Sequence, residues 1–234
     1  MTQELFRKDG YLQQCEATVT DLVDKAFVVD QTVFYPMGGG QPGDSGHAVR
    51  ENGQQIRIQD TQKDREHDRI LHIVEEGEEL PALGESLSLH IDWERRYRLM
   101  RMHSCLHMLC AVIPAPVTGG SIRDGSGRLD FDLPAPPSRE DLEEKLNQAI
   151  AESHPMSYIW ITDREMQDRP ELVKTLSVRP PSGAGTVRLV QFGEADLQAC
   201  GGTHVANSGE IGKVRVESIK NKGKQNRRIT VELA

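Results

Sequence analysis

The 234-residue chain lacks most of the features that would assign it to a simple class. No run of eighteen apolar residues occurs, and the opening MTQELFRKDG carries charges in place of an apolar stretch, so neither a membrane span nor a secretory leader is expected. Four cysteines, Cys15, Cys105, Cys110 and Cys200, are too few and too scattered for a disulfide framework. They suit a reducing, cytoplasmic setting and leave thiolate chemistry or metal binding open. A basic excess is missing too: 28 Lys and Arg face 36 Asp and Glu, a formal net charge of −8, whereas a general nucleic-acid binder carries a basic footprint.

What is present is unevenly distributed. From Val205 to Ala234, seven basic residues (Lys213, Arg215, Lys220, Lys222, Lys224, Arg227, Arg228) stand against three acidic ones (Glu210, Glu217, Glu232). That local surplus fits a phosphate-binding patch or a solvated strand face equally well. Up to residue 91 the pattern is short and strand-like, with CEATVTDL, AFVVD, QIRIQD, RILHIV and SLSLHID separated by turn-forming clusters. This predicts a small β-barrel or sandwich over 1–91. At Asp92, a helix N-cap by type, the character changes: Trp93, Tyr97, Met100, Leu106, Leu109, Cys110 and Ile113 approximate one helix face, and Pro114 ends it. Ser138 with Asp141 three residues on opens a second helix, with Leu142, Leu146, Ala149 and Ile150 on one side. Strands RLDFDL, PMSYIWIT, TVRLVQF, GKVRVESI and RRITVEL complete residues 92–234. The expected class is α+β, a small N-terminal β-barrel followed by a domain with a mostly antiparallel sheet and helices packed on it. DLPAPPS and RPPSGAG read as exposed loops.

The chemistry is concentrated in two pairs. In RMHSCLHML, His103 and His107 lie four apart in the predicted helix, which puts both imidazoles on one face a turn apart. Alone, such a pair is more often two ordinary polar residues. In QACGGTHV, Cys200 and His204 are also four apart, in a glycine-containing loop able to turn both inward. Together the pairs form a nitrogen and sulfur donor set that prefers Zn2+ over magnesium or calcium, whose ligands are oxygen. A zinc protease is excluded, because Ser104 stands where H-E-x-x-H carries its glutamate base. A zinc-finger module is disfavoured, because about ninety residues separate the two pairs. The segment FYPMGGGQPGDSG, with Gly38, Gly39, Gly40 and Gln41 at its centre, is neither a P-loop nor a dinucleotide fingerprint, and by itself reads as a barrel turn.

These segments taken together resemble a known family. HSCLH, CGGTHV followed by NSGEIG, and KGKQNRRI are similar to the editing domain of alanyl-tRNA synthetase, and FYPMGGGQPGDSG occurs in its free-standing relatives, the AlaX proteins. The resemblance covers nearly the whole chain. It implies a zinc-containing tRNA-editing domain over 92–234, with zinc at His103, His107, Cys200 and His204. It implies hydrolysis of the ester joining serine, or sometimes glycine, to alanine tRNA. VTGGSI resembles the family's pocket strand, which makes Thr118 and Ser121 candidates for discriminating serine from alanine, with Gly201 and Gly202 as backbone donors to an oxyanion. Lys222, Lys224, Arg227 and Arg228 are then expected against the phosphates of the tRNA acceptor end. Leu106 departs from the synthetases, which often carry threonine before the second histidine, and agrees with AlaX proteins. Two competing readings are an editing hydrolase for another tRNA and a non-catalytic RNA-binding module with structural zinc.

Overall fold

The computed structural model describes residues 2–174 and 185–234, so the RPPSGAG loop, Gly185 apart, lies outside the described residues. The chain divides into two compact units, one ending at Tyr97 and the other beginning at Arg98.

The first unit contains strands β1 (Gln3–Glu4), β2 (Gln14–Val23), β3 (Ala26–Val29), β4 (Gln31–Thr32), β5 (Gly46–Arg50), β6 (Gln55–Asp64), β7 (Arg69–Val74) and β8 (Ser86–Ile91). Six of them close a barrel in the order β2-β3-β7-β6-β5-β8, with every neighbouring pair antiparallel. Of the two β architectures expected, the barrel is the one formed. Period-two alternation builds its core: Ile56 and Ile58 on β6, Val74 on β7, and Leu87 and Leu89 on β8 meet Phe27 and Phe34. Burying one such side chain contributes about 1.5–3 kcal/mol.

The glycine segment is structural in this unit. Gly38 and Gln41 bond each other's main chains at 3.1 and 2.9 Å. Between them Gly39 and Gly40 take φ of +57° and +83°, the left-handed pair that a two-residue hairpin turn requires. A Cβ on Gly46 would stand 2.1 Å from the His90 carbonyl oxygen, so only glycine lets β5 and β8 approach. Asp44, at the end of the same segment, is buried against the fully buried Arg96. The Arg96 Nε donates to both carboxylate oxygens at 3.0 Å, and its terminal nitrogens reach the Gly10 and Val33 carbonyls at 3.1 and 2.8 Å. This pair draws the first turn of the following helix into the first unit.

That helix, α1 (Trp93–Val112), begins where the sequence places it. The Asp92 carboxylate does not cap it, because the Arg57 fork takes both of its oxygens at 3.0 and 2.7 Å and Ser45 donates at 2.6 Å. A bidentate arginine outcompetes two main-chain amides. The helix also differs from the single apolar face expected: every residue from Met102 to Cys110 is buried. It is a central helix rather than a surface one.

The second unit continues with β9 (Val117–Arg123), β10 (Ser126–Asp132), α2 (Arg139–Ala151), β11 (Met156–Thr162), α3 (Asp163–Gln167), β12 (Thr186–Phe192), β13 (Asp196–Ala199), β14 (Val214–Asn221) and β15 (Asn226–Leu233). They form two antiparallel sheets, ordered β14-β15-β10-β9 and β11-β12-β13. The Ser138 hydroxyl caps α2 by accepting the Asp141 N–H at 3.3 Å, and Leu142, Leu146 and Ile150 are its buried stripe. Asn147 fastens α2 to β14 through both of its amide atoms, at 2.9 and 3.0 Å from the Val214 main chain. The α+β class expected from the sequence is the one observed. Among the described residues no helix is long and apolar enough to cross a membrane.

Candidate metal centre

Helical geometry presents His103 and His107 together, their ring centroids 5.4 Å apart. The other pair arrives on the loop after β13, and three contacts hold that loop in shape. Arg188 of β12 donates its Nε to the Cys200 carbonyl at 3.0 Å and a terminal nitrogen to the Gly202 carbonyl. The Cys200 N–H returns a bond to the Arg188 carbonyl at 3.2 Å, and the guanidinium lies 4.5 Å over the Tyr158 ring. Beyond the loop, the Val205 N–H donates to the Ser104 hydroxyl at 3.1 Å, so the residue between the helical histidines ties the loop to α1.

The four side chains meet. One ligand atom from each of His103, His107, Cys200 and His204 lies within 4.8 Å of all the others. The Cys200 Sγ is 3.4 Å from His103 Nε2 and 3.5 Å from His204 Nε2, and the His204 and His107 Nε2 atoms are 3.0 Å apart. A tetrahedral zinc, with bonds of about 2.0–2.1 Å to nitrogen and about 2.3 Å to sulfur, sets its ligand atoms roughly 3.3–3.6 Å apart. Two of the three distances lie in that range and the third is shorter, so this largely buried nitrogen and sulfur donor set could hold a metal ion. Among the described residues, His204 Nδ1 is buried with no hydrogen-bond partner, so the polar contacts seen for this ring are those of Nε2.

The protonation states of Cys200 and His204 suit metal binding, whereas His107 is held in its charged form until a metal displaces the proton on Nε2. Burial alone would raise the Cys200 thiol, but His103 and His204 outweigh it and hold the group well below its ordinary value, toward the thiolate that binds metals. Burial, reinforced by the neighbouring His103, keeps His204 neutral. Burial also opposes charge on His107, yet the Asp196 and Cys200 partners prevail and raise it to about 9.

Asp196 was not singled out in the sequence. Its side chain is fully buried, accepts from His107 Nδ1 at 2.7 Å and from Gln198 Nε2 at 2.8 Å, and pairs with the Lys174 ammonium. The signal was available in DLQAC: on a strand, Asp196, Gln198 and Cys200 alternate onto one face.

The other expected residues are placed as follows. Thr118 is the extra residue of a β-bulge, since Gly119 pairs with Asp130 and Val117 with Phe131. Its hydroxyl lies 3.1 Å from the Asp130 carbonyl and 3.2 Å from Asn226 Oδ1. The adjoining Val117 N–H donates to the Lys174 carbonyl at 3.0 Å, so this strand borders the residue that pairs with Asp196. Ser121 shares a sheet face with its partner Arg128 and with Asp130. Gly201 and Gly202 lie in the Cys200–His204 loop, Gly201 with open space where a side chain would be. Lys222 and Lys224 are exposed at the β14–β15 hairpin. Arg227 is buried and donates to the Pro134 carbonyl at 2.7 Å and to carbonyls of the hairpin, while Arg228 makes a two-pronged bond to Asp130 at 2.8 Å on each side. Gly38 to Gln41 form the hairpin turn of the first unit.

Two family models match the chain: "Threonyl and Alanyl tRNA synthetase second additional domain" over residues 187–230 and "tRNA synthetases class II (A)" over residues 5–95. The Alanyl-tRNA editing protein AlaX-M of Methanosarcina mazei is 36% identical over 244 aligned positions that take in 100% of this chain and 97% of that protein. The chain belongs to the AlaX family of alanyl-tRNA editing proteins. Another AlaX-M protein, from Saccharolobus solfataricus, is 32% identical over 98% of both chains. The Alanine--tRNA ligase of Pyrobaculum arsenaticum is 37% identical over 94% of this chain but only 25% of its own length. The AlaX proteins thus match end to end, whereas the ligase matches through one quarter of its length.

Proposed function

We propose that this AlaX-family chain is a zinc-containing, trans-editing aminoacyl-tRNA hydrolase that removes serine, and secondarily glycine, from mischarged alanine tRNA in the cytoplasm. The observation that carries the proposal is the convergence of His103, His107, Cys200 and His204. The full-length likeness to AlaX-M proteins supports the choice of alanine tRNA.

The need for such an enzyme is physical. A synthetase pocket shaped for alanine rejects poorly an amino acid that merely adds a hydroxyl, so a second, hydrolytic sieve must recognise that hydroxyl. Thr118 is suited to this: its own proton goes to the Asp130 carbonyl or to Asn226, which leaves its oxygen free to accept from a serine side chain. Alanine leaves that oxygen without a partner, at a cost of about 1–3 kcal/mol. Ser121 is a second candidate for the same recognition. Zinc held by His103, His107, Cys200 and His204 would supply a fixed positive charge to the site. The Gly201 and Gly202 amides would donate to the oxyanion that forms as water attacks the ester carbon; the bond to the ribose oxygen then breaks, and the proton given up by water ends on that oxygen to restore its hydroxyl. Lys222 and Lys224, with Arg228 on the same hairpin, would hold acceptor-end phosphates. Arg227 would support that hairpin from within.

The test is to incubate the protein with serine-charged and alanine-charged alanine tRNA and follow loss of each ester. Serine is expected to be released and alanine spared. Equal release of both overturns the proofreading reading, and release of neither leaves an RNA-binding module.

A further inference from the structure

We propose that Asp196 is a positioning residue that locks His107 in the tautomer able to bind metal through Nε2. This rests on the metal-centre reading above and extends it to a residue outside the four ligands.

The argument begins with His107, which is buried and has polar neighbours at both ring nitrogens. Nε2 faces the cluster, 3.0 Å from His204 Nε2. Nδ1 faces two groups, the Asp196 carboxylate at 2.7 Å and the Gln198 amide nitrogen at 3.1 Å. These two make opposite demands. An amide N–H donates and would favour a lone pair on Nδ1, which moves the proton to Nε2 and closes the ring to metal. A carboxylate only accepts and would repel that lone pair. The carboxylate is nearer and charged, so Nδ1 keeps its proton and the proton a metal displaces is the one on Nε2.

Asp196 can impose this because it is itself held. Gln198 Nε2 donates to the same carboxylate oxygen at 2.8 Å, the Lys174 ammonium pairs with the other, and the side chain has no exposure. Strand alternation on β13 places the carboxylate two residues from Gln198 and four from the Cys200 ligand. One short strand thereby delivers a ligand from the loop that follows it and an orienting group for a ligand on α1. Among the described residues His204 has no such counterpart at its Nδ1.

The experiment compares the unmutated protein with Asp196→Asn, Asp196→Glu and Asp196→Asn/Lys174→Met. Zinc affinity is read by competition with a chelator, and the His107 tautomer by long-range proton–nitrogen correlation of the imidazole. Asp196→Asn is expected to bind zinc on the order of 10- to 100-fold more weakly. In the metal-free state, with the ring made neutral in alkaline solution, its His107 should shift toward the Nε2–H form. Asp196→Glu keeps the charge and should recover part of the affinity. The double variant should stay weak. If it regains the parental affinity, Asp196 only neutralises Lys174 and the inference is overturned. The same follows if Asp196→Asn binds like the parent, or if the unmutated protein, which needs no variant to fold, keeps its one remaining proton on Nε2 when the ring is neutral in alkaline solution. Cys200→Ala separates the two levels: a parent that binds zinc no better than this variant overturns the metal centre itself, whereas a parent that does, alongside an unaffected Asp196→Asn, overturns only the role of Asp196.

Discussion

Acid should weaken the barrel through a single side chain, His72. It is fully buried on β7, stacked 5.1 Å from the Phe27 ring with Phe34 edge-on at 5.3 Å. Its Nδ1 faces the Phe27 carbonyl at 3.3 Å, so Nδ1 carries the proton and Nε2 accepts from the Thr32 hydroxyl at 2.8 Å. The Thr32 oxygen in turn accepts the Phe34 N–H at 3.0 Å. Protonating Nε2 would strip that hydroxyl of its acceptor and place a charge among phenylalanines. Burial accordingly depresses the group from 6.5 to about 4, against a partial offset from the Phe27 carbonyl. Because the folded value is the lower one, its contribution is complete above about pH 6.5 and is lost as pH falls toward 4. The drop from 6.5 to about 4 corresponds to about 3 kcal/mol, of which about 2 kcal/mol is gone by pH 5. The assay is urea unfolding at pH 7, 6 and 5, followed by Trp93, which packs against the barrel core, with Trp160→Phe removing the second tryptophan. His72→Gln retains one donor and one acceptor in the side chain without titrating. The gap between the two proteins should therefore narrow by about 2 kcal/mol from pH 7 to 5. Parallel pH profiles would refute the assignment.

Three further outcomes concern the second unit. Arg188→Met frees the carbonyls of Cys200 and Gly202 that its guanidinium holds, so elemental analysis should find less bound zinc and the melting temperature should fall, by about 1–3 kcal/mol in stability. Full metal content in this variant excludes the loop-holding role. Thr118→Val should slow serine release by roughly 5- to 150-fold, the equivalent of about 1–3 kcal/mol, with zinc retained. An unchanged rate transfers discrimination to Ser121. Replacing both Lys222 and Lys224 by alanine should flatten the dependence of tRNA binding on log salt by about one per lysine. An unaltered slope removes the hairpin tip from the phosphate interface.

Much of this protein was legible from local pattern. Period-two alternation in QIRIQD, RILHIV and SLSLHID announced strands that do pair, and Ser138 with Asp141 opened α2 as written. The two candidate ligand pairs were readable because each is local, one turn of helix and one short loop. Where the reading fell short, a distant partner had outbid a local preference. Asp92 has the side chain of a helix cap, but Arg57 on β6 claims its carboxylate. Arg227 has the charge of a phosphate contact, but carbonyls 93 and 4 residues away hold it inside.

By itself, then, the sequence determined most of the elements, though not β1, β4, β5, β13 or α3, together with the class and four candidate donor side chains, since those follow from periodicity and residue type within a few neighbours. Only the tertiary structure decided that donors about ninety residues apart share one point, that α1 is buried on every side between Met102 and Cys110, and that Asp196 stands behind His107. The reason is that hydrogen bonds and ion pairs are settled by distances across the fold, and a side chain's chemistry does not reveal which of several possible partners will be near it.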